Sequence, residues 1–173
     1  MPATTPMEST AVQARAGKYL TFQLAAETYG VEIGKVREIL PLSPVTIVPR
    51  TPTYILGVVN LRGKIIPVID LRLKFNMKVS AATRETCLIV FDIASVRKTR
   101  LWLGILADEV KDVVRLEEKD IEAVPEFAVQ VDTRFLTGLA RFNQNIMLLL
   151  DIEKVLNHDE LLETEQLQPE SQK

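Results

Sequence analysis

The fold of this chain is decided by residues 57–70, which read GVVNLRGKIIPVID. Two apolar runs flank a turn at residues 60–64, and Arg62 and Gly63 occupy its tip. Glycine adopts the positive backbone φ of a tight turn without steric cost, so this pattern is typical of a β-hairpin. The stretch therefore predicts two short antiparallel strands with Arg62 exposed between them.

The same hairpin recurs later in the chain. At a constant offset of 81, residues 54–61 align with residues 135–142, and the turn becomes Asn143-Gln144-Asn145. Upstream, residues 30–40 align with residues 104–114 at an offset of 74, and residues 19–25 with residues 88–94 at an offset of 69. Three blocks in one order predict two copies of a single unit. Chance similarity between regularly spaced strands is the alternative.

Each copy is predicted to be mostly β. Apolar and alternating runs predict strands within residues 19–24, 28–33, 55–61 and 64–69 of the first copy, and 85–94, 99–106, 135–141 and 145–150 of the second. A sheet of roughly five strands loses its exposed edges when it closes into a small barrel. The predicted fold class is therefore all-β, with two five-stranded β-barrels packed together.

Short helices are expected to complete this fold. Ile33, Val36, Ile39 and Leu40 have the spacing of a helix of about two turns, and Pro41 would end it. A C-terminal helix is expected from Asp151, a good N-cap residue, through Leu161 and Leu162.

Composition and charge suggest how the chain is divided. Apolar residues make up 47% and charged residues 25%, with a net charge of −2, which is typical of a folded protein without a global attraction to nucleic acid. Residues 1–17 are predicted to be a mobile leader and residues 158–173, with a net charge of −4, an acidic, mobile tail. Between them, barrel 1 is expected at about residues 18–82 and barrel 2 at about residues 83–150 of a domain covering 18–157. An exchange of terminal segments between the barrels is left open.

No catalytic, cofactor or metal site is predicted. The chain has one histidine, His158, one cysteine, Cys87, and no glycine-rich phosphate-binding motif, so a histidine zinc site, a catalytic triad and an NTPase are not expected. Asp70 and Asp151 are matched by the repeat, and capping explains them better than paired catalysis. The N-terminus lacks the pattern of a signal peptide, which favours a cytoplasmic protein.

Several sequence motifs of this chain resemble those of a known protein family. Residues 57–72, preceded by Val36-x-Glu38-Ile39-Leu40 and Pro49-Arg50-x-Pro52, resemble the signature of CheW, the bacterial chemotaxis coupling proteins, over about residues 18–157. The same signature occurs in the regulatory domain of the histidine kinase CheA and in the N-terminal part of CheV. This chain carries neither kinase motifs nor a receiver domain, so it resembles the free-standing adaptor.

The resemblance implies SH3-like barrels and a non-enzymatic role. Such an adaptor bridges the cytoplasmic tips of methyl-accepting chemoreceptors to CheA in membrane-associated arrays, and other copies of the chain are further candidate partners in rings. In the family, a receptor helical hairpin lies in an apolar groove between the barrels. The implied receptor-binding residues are Val36, Glu38, Gly57, Arg62 and Val110, and the implied kinase-binding residues are Leu42, Val45, Ile47 and Val48.

Simpler explanations remain open for these residues. An exposed turn arginine is often only solvated, and Val36 and Val110 could serve core packing alone. An oligonucleotide- or ligand-binding barrel is the alternative function, although the basic and aromatic residues are dispersed along the chain. An enzyme ranks third, because no acid, base, metal or phosphate site is assembled.

Overall fold

A computed structural model describes residues 14–94, 100–125 and 133–167. Within these ranges the chain folds into β-strands with two short α-helices. The strands are β1 (Gly17–Leu24), β2 (Glu27–Glu32), β3 (Val36–Pro41), β4 (Ile55–Leu61), β5 (Lys64–Ile69), β6 (Cys87–Ala94), β7 (Arg100–Ala107), β8 (Glu109–Leu116), β9 (Ile121–Glu122), β10 (Leu136–Phe142) and β11 (Asn145–Leu150). The helices are α1 (Leu71–Lys74) and α2 (His158–Gln166).

The strands form two sheets. Barrel 1 is the five-stranded sheet in the order β3-β6-β7-β5-β4, and barrel 2 is the six-stranded sheet in the order β8-β1-β2-β11-β10-β9. Neighbouring strands are antiparallel except β5 with β7 and β2 with β11. This mostly β, two-sheet architecture confirms the predicted fold class and is consistent with SH3-like barrels.

Each sheet curls until the chain leaving one edge strand reaches the opposite edge. In barrel 1, Thr46 follows β3 and exchanges two backbone hydrogen bonds of 2.8 and 2.9 Å with Val58 on β4. In barrel 2, β9 follows β8 and pairs with β10. Both closures cover backbone groups that an open sheet edge would leave exposed.

The sheets do not follow a division of the chain near residue 82. The hairpin of β1 and β2 lies in barrel 2, and the hairpin of β6 and β7 lies in barrel 1, so the two copies exchange their first hairpins. The two parallel strand pairs, β2 with β11 and β7 with β5, use residues that the repeat makes equivalent. Gly30 pairs with Leu149 in the first, and Gly104 pairs with Val68 in the second. A Cβ atom on Gly30 would lie 3.0 Å from the Leu149 Cδ2 atom, so glycine permits the close approach of the exchanged hairpin.

The helix predicted over residues 33–40 is wrong. Only residues 33–35 form a single 3-10 turn, and β3 begins at Val36. In β3, partly buried Val36, Glu38 and Leu40 alternate with exposed residues, which is the period of a strand, and β6 supplies the backbone partners. Residues 109–116, at the equivalent place in the second copy, also form a strand.

The C-terminal helix begins later than predicted, at His158 rather than Asp151. Its start is set by Asn157, whose side chain accepts a hydrogen bond of 2.8 Å from the Glu160 backbone N–H, while the Glu160 carboxylate accepts one of 2.8 Å from the Asn157 N–H. Leu161 and Leu167 pack against the central core. Residues 158–167, expected in a mobile tail, are thus docked on the domain, whereas most of the expected leader, residues 1–13, lies outside the described residues.

One central core joins the two sheets. It contains fully buried Phe22 and Tyr29 from barrel 2 together with Phe91 and Leu103 from barrel 1. Phe22 and Phe91 occupy equivalent positions at the offset of 69. Smaller clusters fill the barrel interiors, with Ile66, Leu88 and Val90 in barrel 1 and Tyr19, Ala140 and Leu149 in barrel 2. Because the largest core is shared, the two barrels stabilise each other.

Candidate protein-binding surface

The turn between β4 and β5 has the predicted geometry. Leu61 pairs with Lys64, and the two residues between them have positive φ, 51° for Arg62 and 88° for Gly63, which defines a two-residue type I′ turn. The Asn60 side chain accepts a 2.8 Å hydrogen bond from the Gly63 N–H and closes the turn. Arg62 is therefore held at the tip of a rigid hairpin.

Arg62 is not merely solvated, because it forms a bidentate ion pair with Glu38 on β3. The Nη1 and Nη2 atoms donate to the two carboxylate oxygens at 3.0 and 2.7 Å. The hydrogen bonds from Arg62 hold the pKa of the Glu38 carboxyl below its usual value. The Arg62 side chain is still 65% exposed, so the pair orients a guanidinium at the surface without hiding it.

Gly57 acts at this surface through the backbone. Its φ is +146°, and a Cβ atom there would overlap the carbonyl oxygen of Thr46. Absence of a side chain lets residues 45–47 lie directly against β4, where Thr46 bonds to Val58. Gly57 is buried, so it positions the neighbouring segment rather than presenting a surface of its own.

The segment that follows β3 presents apolar side chains to solvent. Ile47 is 80% exposed and Leu42 is 36% exposed, whereas Val45 is partly buried against the interior of barrel 1 and Val48 is also partly buried. Side chains two positions apart share one face of a regular strand, so the different exposure of Val45 and Ile47 shows that this segment is irregular around the single bridge at Thr46. Leu42 and Ile47 are therefore the accessible members of the four predicted kinase-binding residues.

Val36 and Val110 occupy equivalent positions in different barrels. Val36 on β3 pairs with Phe91, and Val110 on β8 pairs with Phe22. Both valines are partly buried and pack against the shared central core. The structure thus brings Glu38 and Arg62 into contact, places Val36 two residues before Glu38, and leaves Val110 on the other sheet.

Asp70 is a structural residue. Its side chain accepts a 3.0 Å hydrogen bond from the Arg72 N–H, which confirms the predicted cap, and two further bonds of 3.0 Å from the Arg72 guanidinium. The Arg72 Nη1 atom donates to Asp108 at 2.7 Å, and Asp108 also accepts a 2.7 Å bond from the Ala25 N–H. This buried network ties α1 to the turns after β1 and β7 and was not visible in the sequence.

Two observations concern metal and thiol chemistry in the described residues. Within residues 14–94, 100–125 and 133–167, no group of three or more histidine, cysteine or acidic side chains could hold a metal ion. Cys87 is buried, and burial raises the pKa of its thiol, which suits the predicted core role. In the same ranges no helix is long and apolar enough to cross a membrane.

These features define a class: an all-β protein of two entwined small barrels that presents a paired arginine and exposed apolar side chains at its surface. The model of the CheW-like domain family matches residues 18–160, and the chain belongs to that family.

Individual relatives agree with the family match. A chemotaxis protein CheW from Klebsiella aerogenes is 40% identical over 144 residues, covering 83% of this chain and 84% of that protein. A probable chemotaxis protein CheW from Rhizobium etli is 32% identical over 141 residues, covering 82% of this chain and 88% of that protein. The crystal structure of the scaffolding protein TtCheW from Thermoanaerobacter tengcongensis matches with a TM-score of 0.74 at 29% identity, covering 85% of this chain and 92% of that one.

Proposed function

We propose that this chain is a non-enzymatic adaptor that couples methyl-accepting chemoreceptors to the histidine kinase CheA in chemotaxis signalling. It would act in the cytoplasm and be recruited to membrane-associated receptor arrays. The family match supports the role, together with the scaffolding description of the solved relative. The observation that carries the proposal is the exposed Arg62–Glu38 pair beside an apolar segment, because neither feature is needed to fill a core.

The receptor-binding residues are Val36, Glu38, Gly57, Arg62 and Val110, and they have different tasks. Glu38 holds the Arg62 guanidinium in one orientation, so less side-chain entropy is lost when its remaining N–H donors bind a partner. The two valines border the central core from equivalent strands and would line the apolar groove between the barrels. Gly57 keeps the neighbouring segment in place through Thr46.

The kinase-binding residues lie on the segment after β3. Leu42 and Ile47 would enter the apolar centre of an interface with the kinase regulatory domain, where excluded water makes buried apolar side chains most effective. Val45 and Val48 would support that segment from below, since both are partly buried.

The adaptor would work through differential binding. If receptor signalling states bind the adaptor differently, the kinase can respond only by the difference in binding free energy, which is usually about 1–3 kcal/mol. The shared core of the two barrels suits the molecule to this coupling, because a displacement at one binding surface would be transmitted to the other through packed side chains.

The direct test is co-purification with a receptor cytoplasmic fragment and with the CheA regulatory domain, singly and together. Arg62→Ala should lower the affinity for at least one partner severalfold while the thermal midpoint stays nearly unchanged, because the pair is solvent exposed. Asn143→Ala is the matched control, since Asn143 holds the same position in the equivalent turn with a φ of 52°. Failure of the unsubstituted protein to bind either partner would refute the function. A large loss of stability with intact binding would assign Arg62 to folding.

A further inference from the structure

A second surface of barrel 1 surrounds Trp102 on β7. We call it the Trp102 face and define it by Trp102, Arg37, Lys64, Asp92 and Arg100. The indole ring packs against the interior cluster of barrel 1. The Arg37 guanidinium carbon lies 4.0 Å from the ring centroid and the Lys64 ammonium nitrogen 4.2 Å from it, both within the range of a cation–π interaction. Three sequence-distant residues thus form one stack.

The Trp102 face is positively charged. Asp92 accepts a 2.7 Å hydrogen bond from Arg100 and lies 3.9 Å from Arg37. Arg37 and Arg100 therefore share one carboxylate and Lys64 stacks on the ring, so these four charged groups leave a charge of 3 − 1 = +2. The Arg37 and Arg100 side chains are 44% and 62% exposed, so both are accessible. Arg62 and Glu38 border the face and together add no net charge.

Barrel 2 lacks this arrangement. At the repeat offsets, Trp102 corresponds to Thr28, Arg37 to Lys111 and Lys64 to Asn145. Lys111 lies 3.6 Å from Glu109, an ordinary surface ion pair. Because barrel 2 has the equivalent order of its five main strands with Thr28 in place of Trp102, the fold does not require an aromatic ring at this position.

We propose that the Trp102 face is a docking surface for a carboxylate-rich segment of a partner protein. The inference rests on the proposed adaptor function, because it specifies the chemistry of a surface that one of the partners must carry. The ring restrains two long side chains, so fewer rotamers are lost when they bind carboxylates. The excess positive charge attracts an acidic surface and rejects a basic one.

Other occupants suit this face less well. Single-stranded nucleic acid binds by stacking bases on aromatic rings, but here Arg37 and Lys64 already cover the single tryptophan of the chain. The six residues after Leu167 carry one glutamate and one lysine, so they are not a carboxylate-rich segment. An acidic surface on another protein matches the charge and geometry best.

The test measures binding of the receptor cytoplasmic fragment and of the CheA regulatory domain to the variants Arg37→Glu/Lys64→Glu and Arg100→Glu. For one partner, the double variant should bind about tenfold more weakly at low salt, and the difference should shrink at high salt. Arg100→Glu should weaken binding of the same partner while leaving the stack of Arg37 and Lys64 on Trp102 intact. A loss of binding in this variant therefore cannot be caused by disruption of the stack. Lys111→Glu, the matched change in barrel 2, should bind as the unsubstituted chain does. Trp102 is the single tryptophan of the sequence, so its fluorescence shows whether a substitution changes the environment of the indole ring.

The outcomes separate this inference from the proposed function. Suppose that the unsubstituted chain binds its partners and that both variants bind them with the same affinity as the unsubstituted chain. The Trp102 face is then not a docking surface, although the adaptor role stands. If the unsubstituted chain binds neither partner, both proposals fail. Retention of a single-stranded oligonucleotide at physiological salt, lost in both variants, would overturn the acidic-partner proposal in favour of nucleic acid.

Discussion

Barrel 1 and barrel 2 share a backbone plan but not a surface. Their hairpins β4–β5 and β10–β11 end in the same turn type, yet the turn residues are Arg62-Gly63 in one and Asn143-Gln144 in the other. Glu38, the partner of Arg62, corresponds to Asp112, whose backbone bonds to the Thr21 hydroxyl. Turn geometry and the apolar pattern are therefore retained in both copies, while the exposed polar residues have diverged.

The buried strand ends show the same contrast. Asp70 and Asp151 both follow the last strand of a copy, and their backbone N–H groups donate to Tyr54 and Phe135 at 2.8 Å each. In barrel 1 the carboxylate enters the buried Arg72 network, whereas Asp151 accepts a 3.1 Å bond from the Glu153 N–H in an exposed turn. One copy uses this position for an internal ion network and the other for a surface turn.

The largest effect is expected from Arg72→Met. Arg72 is 5% exposed, and Arg72→Met leaves the buried Asp70 carboxylate without an opposite charge, so the free energy of unfolding should fall by about 3–5 kcal/mol. Urea denaturation measures the loss. Glu153→Ala, the equivalent substitution in barrel 2, removes only the exposed pair with Lys35 and should change stability by about 1 kcal/mol or less. Equal effects of the two substitutions would contradict the contrast between the barrels.

A smaller difference should separate Gly57→Ala from Gly138→Ala. At Gly57 the new Cβ would overlap the Thr46 carbonyl at a φ of +146°, so we expect a loss of about 2–3 kcal/mol. At Gly138 it would meet the Ile121 Cγ2 atom at 3.1 Å, and a side chain can shift more easily than backbone. Chemical denaturation should therefore show a loss of about 1 kcal/mol there. A larger loss at Gly138 would show that β9 is the more rigid of the two closures.

A third stability prediction concerns the contact that fastens α2, where the expected loss is smaller than at Arg72 or Gly57. Lys74 donates to both carboxylate oxygens of Glu160, at 2.8 and 2.7 Å, and its ammonium lies 4.6 Å from the Tyr54 ring centroid. Burial by itself would raise the pKa of Glu160, but hydrogen bonds from Lys74, the Asn157 N–H and Tyr54 outweigh it, and the pKa lies below its ordinary value. Glu160→Gln should cost about 1–2 kcal/mol at neutral pH.

The contribution of Glu160 to stability should depend on pH. Because the pKa of Glu160 is lower in the folded state, its stabilisation is fully present above the ordinary glutamate range and is lost as the pH falls through the folded-state value. Denaturation midpoints of Glu160→Gln and the unsubstituted chain should therefore converge in acid. Glu153→Gln, which alters an exposed pair, serves as control. A constant difference from neutral to acidic pH would show that the carboxylate charge is unimportant.

Local sequence patterns predicted much of the backbone plan. The offset of 81 paired Gly57 with Gly138, and the structure places both beside bulges where the strand register shifts. Most strand ends fell within about two residues of their predicted positions, because turns and apolar alternation are properties of adjacent residues. Helix and strand were confused at β3, since Ile33, Val36, Ile39 and Leu40 fit a helical spacing and only pairing with β6 decides between the two.

The contacts at the proposed binding surface were predictable only in part. Glu38 and Arg62 were both expected at the receptor-binding surface through the family resemblance, but their mutual ion pair joins residues that are 24 positions apart. The stack of Arg37 and Lys64 on Trp102 left no signal in the sequence, because its members lie on three different strands. A contact between distant residues has no local periodicity and becomes visible only when the sheet order is known.

The amino-acid sequence by itself determined the repeated β units, the type I′ turns and the apolar positions, since each depends on steric and solvation preferences of neighbouring residues. Tertiary structure alone decided that the first hairpins exchange between barrels, that Arg72 binds Asp108, and that Arg62 is held by Glu38. Those outcomes depend on which surfaces pack together over the whole chain, and many chain arrangements bury the same local patterns before packing selects one.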